Sequence, residues 1–242
     1  MKALILAAGL GTRLCPITDN IPKPLVVLGD QPLLWYHLES LRKNGVTEVL
    51  INTHYLPEMI NGFVADYNNN HQDIKVFTTH EKELLGSAGT LKKNIDFFKD
   101  EQDFFVTYGD NLTTIDYDKI LDFHVKNNTL ATIASYHEKH PESKGIIIHD
   151  KNKKIIKFIE KPSNEEIVSN QANGGVYVLN SKIFSYLDKI DSSVIDFGKD
   201  LFPLVLNSNG DMFTYEMDEF LLDIGTIENY ELAQEKIKEL KF

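Results

Sequence analysis

Between Gly9 and Pro24 the chain reads GLGTRLCPITDNIPKP, directly after the apolar run KALILAA. Gly9 and Gly11 can expose backbone N–H groups to an anion. Arg13 adds a planar fork of donors and Lys23 a compact positive charge. Lys23 lies between Pro22 and Pro24, whose rings fix the backbone on both sides, so placing its ammonium costs less entropy than on a free surface. Two cations and a glycine turn after a first strand suit a polyphosphate. Other readings compete. A dinucleotide fingerprint, G-x-G-x-x-G, needs a glycine where Leu14 stands. No G-x-x-x-x-G-K-[ST] phosphate loop occurs. A plain surface turn accounts for the two glycines but gives the two cations no purpose.

Asp110 follows Gly109 in YGDN (Tyr108–Asn111), at the end of a predicted strand. Ligands of open α/β sheets bind beyond the carboxyl ends of strands. A hard cation such as Mg²⁺ takes one or two carboxylates and completes its shell with phosphate oxygens or water. A turn aspartate is the plainer reading. Asp223, in LLDIGT, reads as a helix cap, and Glu160–Lys161, in FIEKP, as an exposed strand end. HEKHPE is no zinc helix, because Pro141 stands four positions after His137 where H-E-x-x-H needs histidine. Cys15 has no cysteine partner and reads as passive. No G-x-S-x-G elbow is present.

The elements that must carry these residues alternate. KALILAA, TEVLINT, IKVFTT, DFFVTYGD and LATIASY read as strands. PLLWYHLESLRKNG (with Leu34, Leu38 and Leu41 on one face and Gly45 as a stop), PEMINGFVADYNNN, GSAGTLKKNIDFF and YDKILDFHVKNN read as helices. This rhythm argues for a parallel sheet flanked by helices. The second half is less regular. KGIIIHD and KIIKFIEK flank KNK as a hairpin, GGVYVLN and MFTYEM read as strands, SKIFSYLDKI as a helix and GTIENYELAQEKIKELKF as a closing helix.

The 242 residues, 42% hydrophobic, suffice for a sizeable core. A net charge of −11, from 25 Lys and Arg against 36 Asp and Glu, argues against a nucleic-acid partner while allowing a local cationic pocket. One cysteine suits a reducing compartment. ALILAA is too short to span a membrane. The expectation is a soluble cytoplasmic protein with no membrane partner.

The whole segment LILAAGLGTRLCPITDNIPKPL resembles the signature G-x-G-T-R-L-x-P-x-T-x-x-x-P-K-P of the sugar-1-phosphate nucleotidyltransferases. Its nearest motifs are those of members acting on mannose 1-phosphate. The resemblance runs from Lys2 to about Tyr230 and implies one domain, residues 1–242, with a Rossmann-like mixed, mostly parallel sheet flanked by helices and a smaller β-rich, sugar-binding part. Residues 1–136 would mainly bind nucleotide. Residues 137–242 would bind sugar phosphate and supply the closing helix. Arg13, Lys23 and Asp110 would be catalytic. Ala8, Gly9, Gly11, Thr12, Arg13, Gly86 and Ser87 would meet the nucleotide. Gly145, Glu160, Lys161 and Asn173 would meet the sugar phosphate, and Asp110 and Asp223 would hold Mg²⁺. Lys144 replaces a tyrosine frequent beside Gly145 in relatives. DFGKDLFP departs from the family segment S-x-E-K-D/E-x-F-P at Phe197–Gly198, and Lys199 receives no role.

The implied reaction joins an NTP and a sugar 1-phosphate to give an NDP-sugar and pyrophosphate, an activity of EC 2.7.7 type. LLGSAGTL (Leu84–Leu91) resembles the L-G-T-A-G loop of guanylyltransferases and favours GTP, with a mannose- or heptose-type sugar. A cytidylyl-, uridylyl- or thymidylyltransferase for another phosphorylated metabolite is the alternative. A catalytically inactive nucleotide-sugar sensor is the alternative of a different class, disfavoured because Arg13, Lys23, Asp110, Lys161 and Asp223 are all present. The hexapeptide repeats that some relatives append are absent, so a single activity is expected. A homo-oligomer is left open.

Overall fold

The computed structural model describes residues 1–242. β1 (Lys2–Leu6) is an apolar run whose Ala3, Leu4 and Ile5 are fully buried, as in a strand covered on both faces. A two-residue ribbon, β2 (Val27–Leu28) and β3 (Gln31–Pro32), leads into α1 (Leu33–Lys43). The predicted stripe of α1, Leu34, Leu38 and Leu41, is buried, and Gly45 ends the helix at a φ of +75°. β4 (Glu48–Thr53), α2 (Pro57–Asn70) and β5 (Lys75–His80) follow as read from the sequence. The predicted helix from Gly86 divides at Asn94 into α3 (Ser87–Lys93) and α4 (Ile95–Phe98). Next come β6 (Asp103–Tyr108), a short β7 (Asn111–Thr113), α5 (Tyr117–Asn127) and β8 (Ala131–His137). The hairpin is β9 (Gly145–His149) with β10 (Ile155–Glu160), and β11 spans Gln171–Asn180. The predicted helix SKIFSYLDKI shrinks to α6 (Phe184–Leu187) after a 3₁₀ turn. A π-helical turn, Phe197–Leu201, opens α7 (Phe202–Asn207). β12 (Met212–Glu216), β13 (Leu221–Asp223) and α8 (Ile227–Lys236) complete the chain.

Nine of the strands form a mixed parallel and antiparallel sheet flanked by helices. The chain divides into two compact units. The first comprises Met1–Leu84, Thr107–Tyr117 and Glu219–Phe242. Within it β1, β4 and β5 run parallel, Ala3 opposite Val49 and Val49 opposite Val76. β7 and β13 pair antiparallel, so that Asn111 faces Asp223. Beneath this ribbon Leu14, Leu28, Leu33, Leu112, Ile224 and Ala233 pack into one apolar cluster. That cluster ties the glycine turn, the ribbon and α8 to a common base.

The second unit comprises Leu85–Val106 and Asp118–Asp218. Here β9–β10 and β8–β11 are antiparallel, and β12 joins β8 in parallel. Its core includes Tyr177, Phe197 and Phe202, with ring centroids 5.2–5.4 Å apart, and Phe158 against Phe202 at 5.4 Å. No helix is long and apolar enough to cross a membrane.

The second unit also buries a polar chain. His124 is 2% exposed, with Nδ1 2.9 Å from Thr132 Oγ1 and Nε2 3.2 Å from Asp103 Oδ1. A carboxylate only accepts, so Nε2 carries the proton and Nδ1 accepts from the Thr132 hydroxyl. Asn180 Nδ2 donates to the same carboxylate oxygen at 2.7 Å. Thr132 is wholly buried, so the chain offers no nucleophile to solvent and works as an internal brace. Burial lowers the His124 pKa below its usual 6.5, against the opposing pull of Asp103. The unfolded chain therefore takes up the proton first, and the stability His124 contributes is complete above about pH 6.5 and lost as pH falls through its folded pKa. The urea midpoint should fall between pH 7.5 and 5.5, and His124→Gln should flatten that slope. An unchanged slope in the variant would exclude His124 as its source.

Candidate active site

The glycine turn begins where β1 ends. The Ala7 N–H donates to Asn52 Oδ1 at 2.6 Å, and Asn52 Nδ2 donates to Glu81 Oε1 at 2.9 Å. Asn52 and Glu81 are 4% and 1% exposed, so this chain of polar groups fixes the exit of β1 from inside the protein. Ala8 is buried, whereas Gly9, Thr12 and Arg13 are exposed. Gly11 sits at φ +69°, a left-handed position that favours glycine, and its carbonyl accepts from Leu14 N–H at 2.9 Å and Thr18 Oγ1 at 2.8 Å. Cys15 is exposed, its Sγ 3.7 Å from Thr18 Oγ1.

Lys23–Leu25 folds into a 3₁₀ turn preceded by the extended Pro22, with Val26 N–H donating to Lys23 O. The turn sends the Lys23 side chain inward, leaving it only 7% exposed. Its Nζ lies 2.7 Å from Asp110 Oδ2 and 3.4 Å from Asp223 Oδ1. The backbone repeats the link, since Ile224 N–H donates to Asp110 O at 3.0 Å. Gly109 makes the approach possible: a Cβ there would stand 2.9 Å from Ile5 Cγ2 and 3.1 Å from Leu6 O. Asp110 is 36% and Asp223 21% exposed. Two carboxylates thus converge on one cation, an arrangement whose donor chemistry also fits a divalent metal ion. No third His, Cys, Asp or Glu completes a cluster with them, so phosphate or water would supply the remaining ligands.

Two further residues belong here that motif reading missed. His37 is 3% exposed with Nε2 unpartnered, and burial pushes its pKa down to about 4 against the pull of the Asp110 charge and the Asn111 backbone. The buried imidazole is therefore neutral at pH 7 and lies within the field of the Asp110 charge. Its only sequence signal is a polar residue on the apolar stripe of α1. Gly225 is the second. A Cβ at Gly225 would lie 2.9 Å from Asp223 Oδ1 and 3.2 Å from Arg13 Nη2, so Arg13 and Asp223 both border this glycine.

The second unit gathers another group. Gly86, at φ +76°, lies against Ile195, whose carbonyl oxygen would be 2.5 Å from an added Cβ. Ser87 opens α3 beside it. The Glu160 carboxylate is bounded by two glycines: a Cβ on either Gly145 or Gly198 would come within 2.6 Å of Oε2. Burial raises the Glu160 pKa; Lys161 opposes the rise, Asp196 adds to it and Lys199 opposes it. Lys161 holds φ +49°, uncommon for a residue with a side chain, and its N–H donates to Lys144 O at 3.0 Å. Asn173 sits where β11 bulges away from β8. Its Nδ2 donates to Tyr177 Oη at 2.8 Å and its Oδ1 accepts from Gly175 N–H at 3.0 Å, which uses one donor and one acceptor of the amide. The predicted residues therefore fall into two groups. Ala8, Gly9, Gly11, Thr12, Arg13, Lys23, Asp110 and Asp223 belong to the first unit, and Gly86, Ser87, Gly145, Glu160, Lys161 and Asn173 to the second.

The first unit thus joins a glycine turn at the exit of β1 to a lysine held by two carboxylates. The profile of the nucleotidyl transferase family matches residues 2–239. The chain belongs to that family. Among its relatives is a mannose-1-phosphate guanyltransferase of Yarrowia lipolytica, 34% identical over 227 residues, which cover 93% of this chain and 61% of that protein. The chain thus spans about three fifths of the length of that relative. The structure of HddC from Yersinia pseudotuberculosis complexed with GMP-PN is 26% identical, with a TM-score of 0.79 over 98% of this chain and 99% of that one. A UDP-glucose pyrophosphorylase complexed with UDP-glucose shares the fold, with a TM-score of 0.83, 21% identity and coverage of 98% of each chain.

Two glycines give opposite expectations. The atoms crowding Gly225 are ends of side chains, so Gly225→Ala should fold normally and displace Asp223 and Arg13 instead. Turnover should fall about 10²-fold, the order expected for a misplaced charged group, with a smaller drop in melting temperature than Gly86→Ala gives, because Asp110 still answers the Lys23 charge. The atoms crowding Gly86 are backbone. Gly86→Ala should destabilise the fold by at least ~1–3 kcal/mol, the cost of a side chain in a backbone region reserved for glycine. Calorimetry and steady-state rates on the two variants check the contrast.

Proposed function

We propose that the chain transfers a nucleotidyl group from GTP to a sugar 1-phosphate of mannose or heptose type, releasing pyrophosphate. The observation that carries the reaction type is the lysine lodged between Asp110 and Asp223 beside the Arg13 turn. GTP is supported by the LLGSAGTL loop, by the named activity of the Yarrowia relative and by the GMP-PN complex of HddC.

In this reading a phosphate oxygen of the sugar 1-phosphate attacks the α-phosphorus of the triphosphate. A new P–O bond forms, the bond to the β-phosphate bridging oxygen breaks, and the electron pair leaves with pyrophosphate. The attacking oxygen is already anionic at neutral pH, so no general base is required. The work lies in aligning two anions and offsetting their repulsion. Arg13 steadies the triphosphate and the departing pyrophosphate. Lys23 bridges the phosphates near the reacting centre, and Lys161 holds the attacking phosphate. Ala8, Gly9, Gly11, Thr12, Gly86 and Ser87 offer backbone to the nucleotide. Gly145, Glu160 and Asn173 border the sugar. Asp110 and Asp223 would hold Mg²⁺, which when bound supplies charge neutralisation between nucleotide and sugar phosphates. Residues 1–136 in this reading serve mainly the nucleotide and residues 137–242 mainly the sugar phosphate.

A coupled pyrophosphate assay over four NTPs against mannose, heptose, glucose and amino-sugar 1-phosphates tests the assignment. GTP with mannose or heptose 1-phosphate should give the highest kcat/KM. Highest turnover with another NTP would replace the base, and no pyrophosphate from any pair would replace the enzyme by a nucleotide-sugar sensor. Asp110→Asn should lower kcat by ~10²–10³, the loss typical of one electrostatic stabiliser, without changing the fold. Near wild-type pyrophosphate release by that variant would remove Asp110 from the metal site.

A further inference from the structure

Ser87 looks from sequence like part of a nucleotide-contacting loop, yet its hydroxyl is engaged within the protein. Ser87 Oγ donates to Asp196 Oδ1 at 3.2 Å and accepts from Phe197 N–H at 3.0 Å. The backbones on either side are stitched as well. Ile195 N–H donates to Leu85 O at 2.8 Å, and Ile195 O accepts from both Ala88 and Gly89 N–H at 2.9 Å. Gly86 has no room for a Cβ against Ile195, so the two segments touch backbone to backbone.

The far end of the stitched segment is fixed in turn. Asp196 N–H donates to Asp200 Oδ2 at 2.7 Å, and Asp196 O accepts from Asp200 and Leu201 N–H at 3.1 Å, which closes the π-helical turn. That turn places Gly198 under the Glu160 carboxylate and Phe197 in the aromatic core. Asp196 and Lys199 both act on the charge of Glu160. One continuous run of contacts therefore leads from the Gly86 loop through Ser87, Asp196 and the turn to Glu160.

We propose that Ser87 and Asp196 are positioning residues, a hydroxyl–carboxylate staple that holds the Gly86 loop and the Phe197–Leu201 turn at one spacing and so sets the nucleotide and sugar contacts of this unit together. The proposal rests on the reading that the Gly86 loop meets nucleotide and Glu160 meets sugar. Removing the hydroxyl deprives the Asp196 carboxylate of a donor and Phe197 N–H of an acceptor, and frees both segments at once.

Kinetics with both substrates varied give a distinctive pattern. Ser87→Ala and Asp196→Ala should each raise the KM for the NTP and for the sugar 1-phosphate by about tenfold, the loss expected for one charge-assisted hydrogen bond. Ser87→Thr keeps the hydroxyl and should restore both. A rise in the NTP KM alone would make Ser87 a simple nucleotide contact and overturn the staple, and so would a drop in kcat with both KM values unchanged. Hydrogen exchange on the nucleotide-free protein judges the staple without reference to the reaction. In Ser87→Ala the amides of Ala88 and Gly89 should lose protection together with those of Phe197 and Leu201. Protection retained at 197–201 overturns the staple, whereas absence of turnover in the wild-type protein with joint loss of protection overturns only the functional reading.

Discussion

A lysine ammonium almost wholly removed from water must be met by negative charge, and much of the first unit follows from that requirement. The desolvation penalty of a buried ammonium is several kcal/mol unless carboxylates answer it. Lys23 is answered by Asp110 and Asp223, which come from sequence positions far apart. Each must be delivered by its own device: the proline-flanked 3₁₀ turn for Lys23, the close approach of Gly109 to β1 for Asp110, and the β7–β13 pairing for Asp223. The apolar cluster of Leu14, Leu112 and Ile224 lies under these parts and keeps their spacing. A charged triad of this kind is a weak source of stability and a strong source of geometry. It fixes where positive and negative charge meet in the first unit.

The second unit solves a similar problem with glycine instead of charge. Glu160 keeps its half-buried place because Gly145 and Gly198 leave it space, and burial shifts it toward the protonated form while neighbouring lysines resist. The departure DFGKD from the family segment has a structural account. Phe197 fills the aromatic core beside Tyr177 and Phe202, and Gly198 makes way for the carboxylate. Lys199 stands in the electrostatic surroundings of that carboxylate.

The parallel strands and their helices were legible because their apolar runs are long and their periods clean, as in α1 and α2. The glycine turn was legible because Arg13, Lys23 and the two prolines occupy adjacent positions in the chain. Short elements were not. β2, β3, β7 and β13 are two or three residues each, too few to show a period, and they exist because of partners elsewhere. The break at Asn94 carries only local bonds, Nδ2 to Thr90 O among them, whereas the π turn at Phe197 is held by Ser87 from a distant segment. Asn52 and Glu81 are 45 and 29 residues from the groups they bond, a separation no local pattern reports. Cys15, exposed in the middle of the turn, has no structural account.

The first unit is interrupted twice along the chain, and this governs the order in which it can be completed. β7 is made early, but its partner β13 follows the whole of Asp118–Asp218. A nascent chain therefore has every residue of the second unit in hand before the first can close. Were that inserted stretch unfolded, joining β7 to β13 would mean closing a long flexible loop, with an entropy penalty that grows with its length. Folding of the insert first replaces that loop by a compact body. During synthesis the carboxylate pair around Lys23 can therefore be completed only after residues beyond Glu219 have been made, and a chain halted before Glu219 lacks the Asp223 counter-charge.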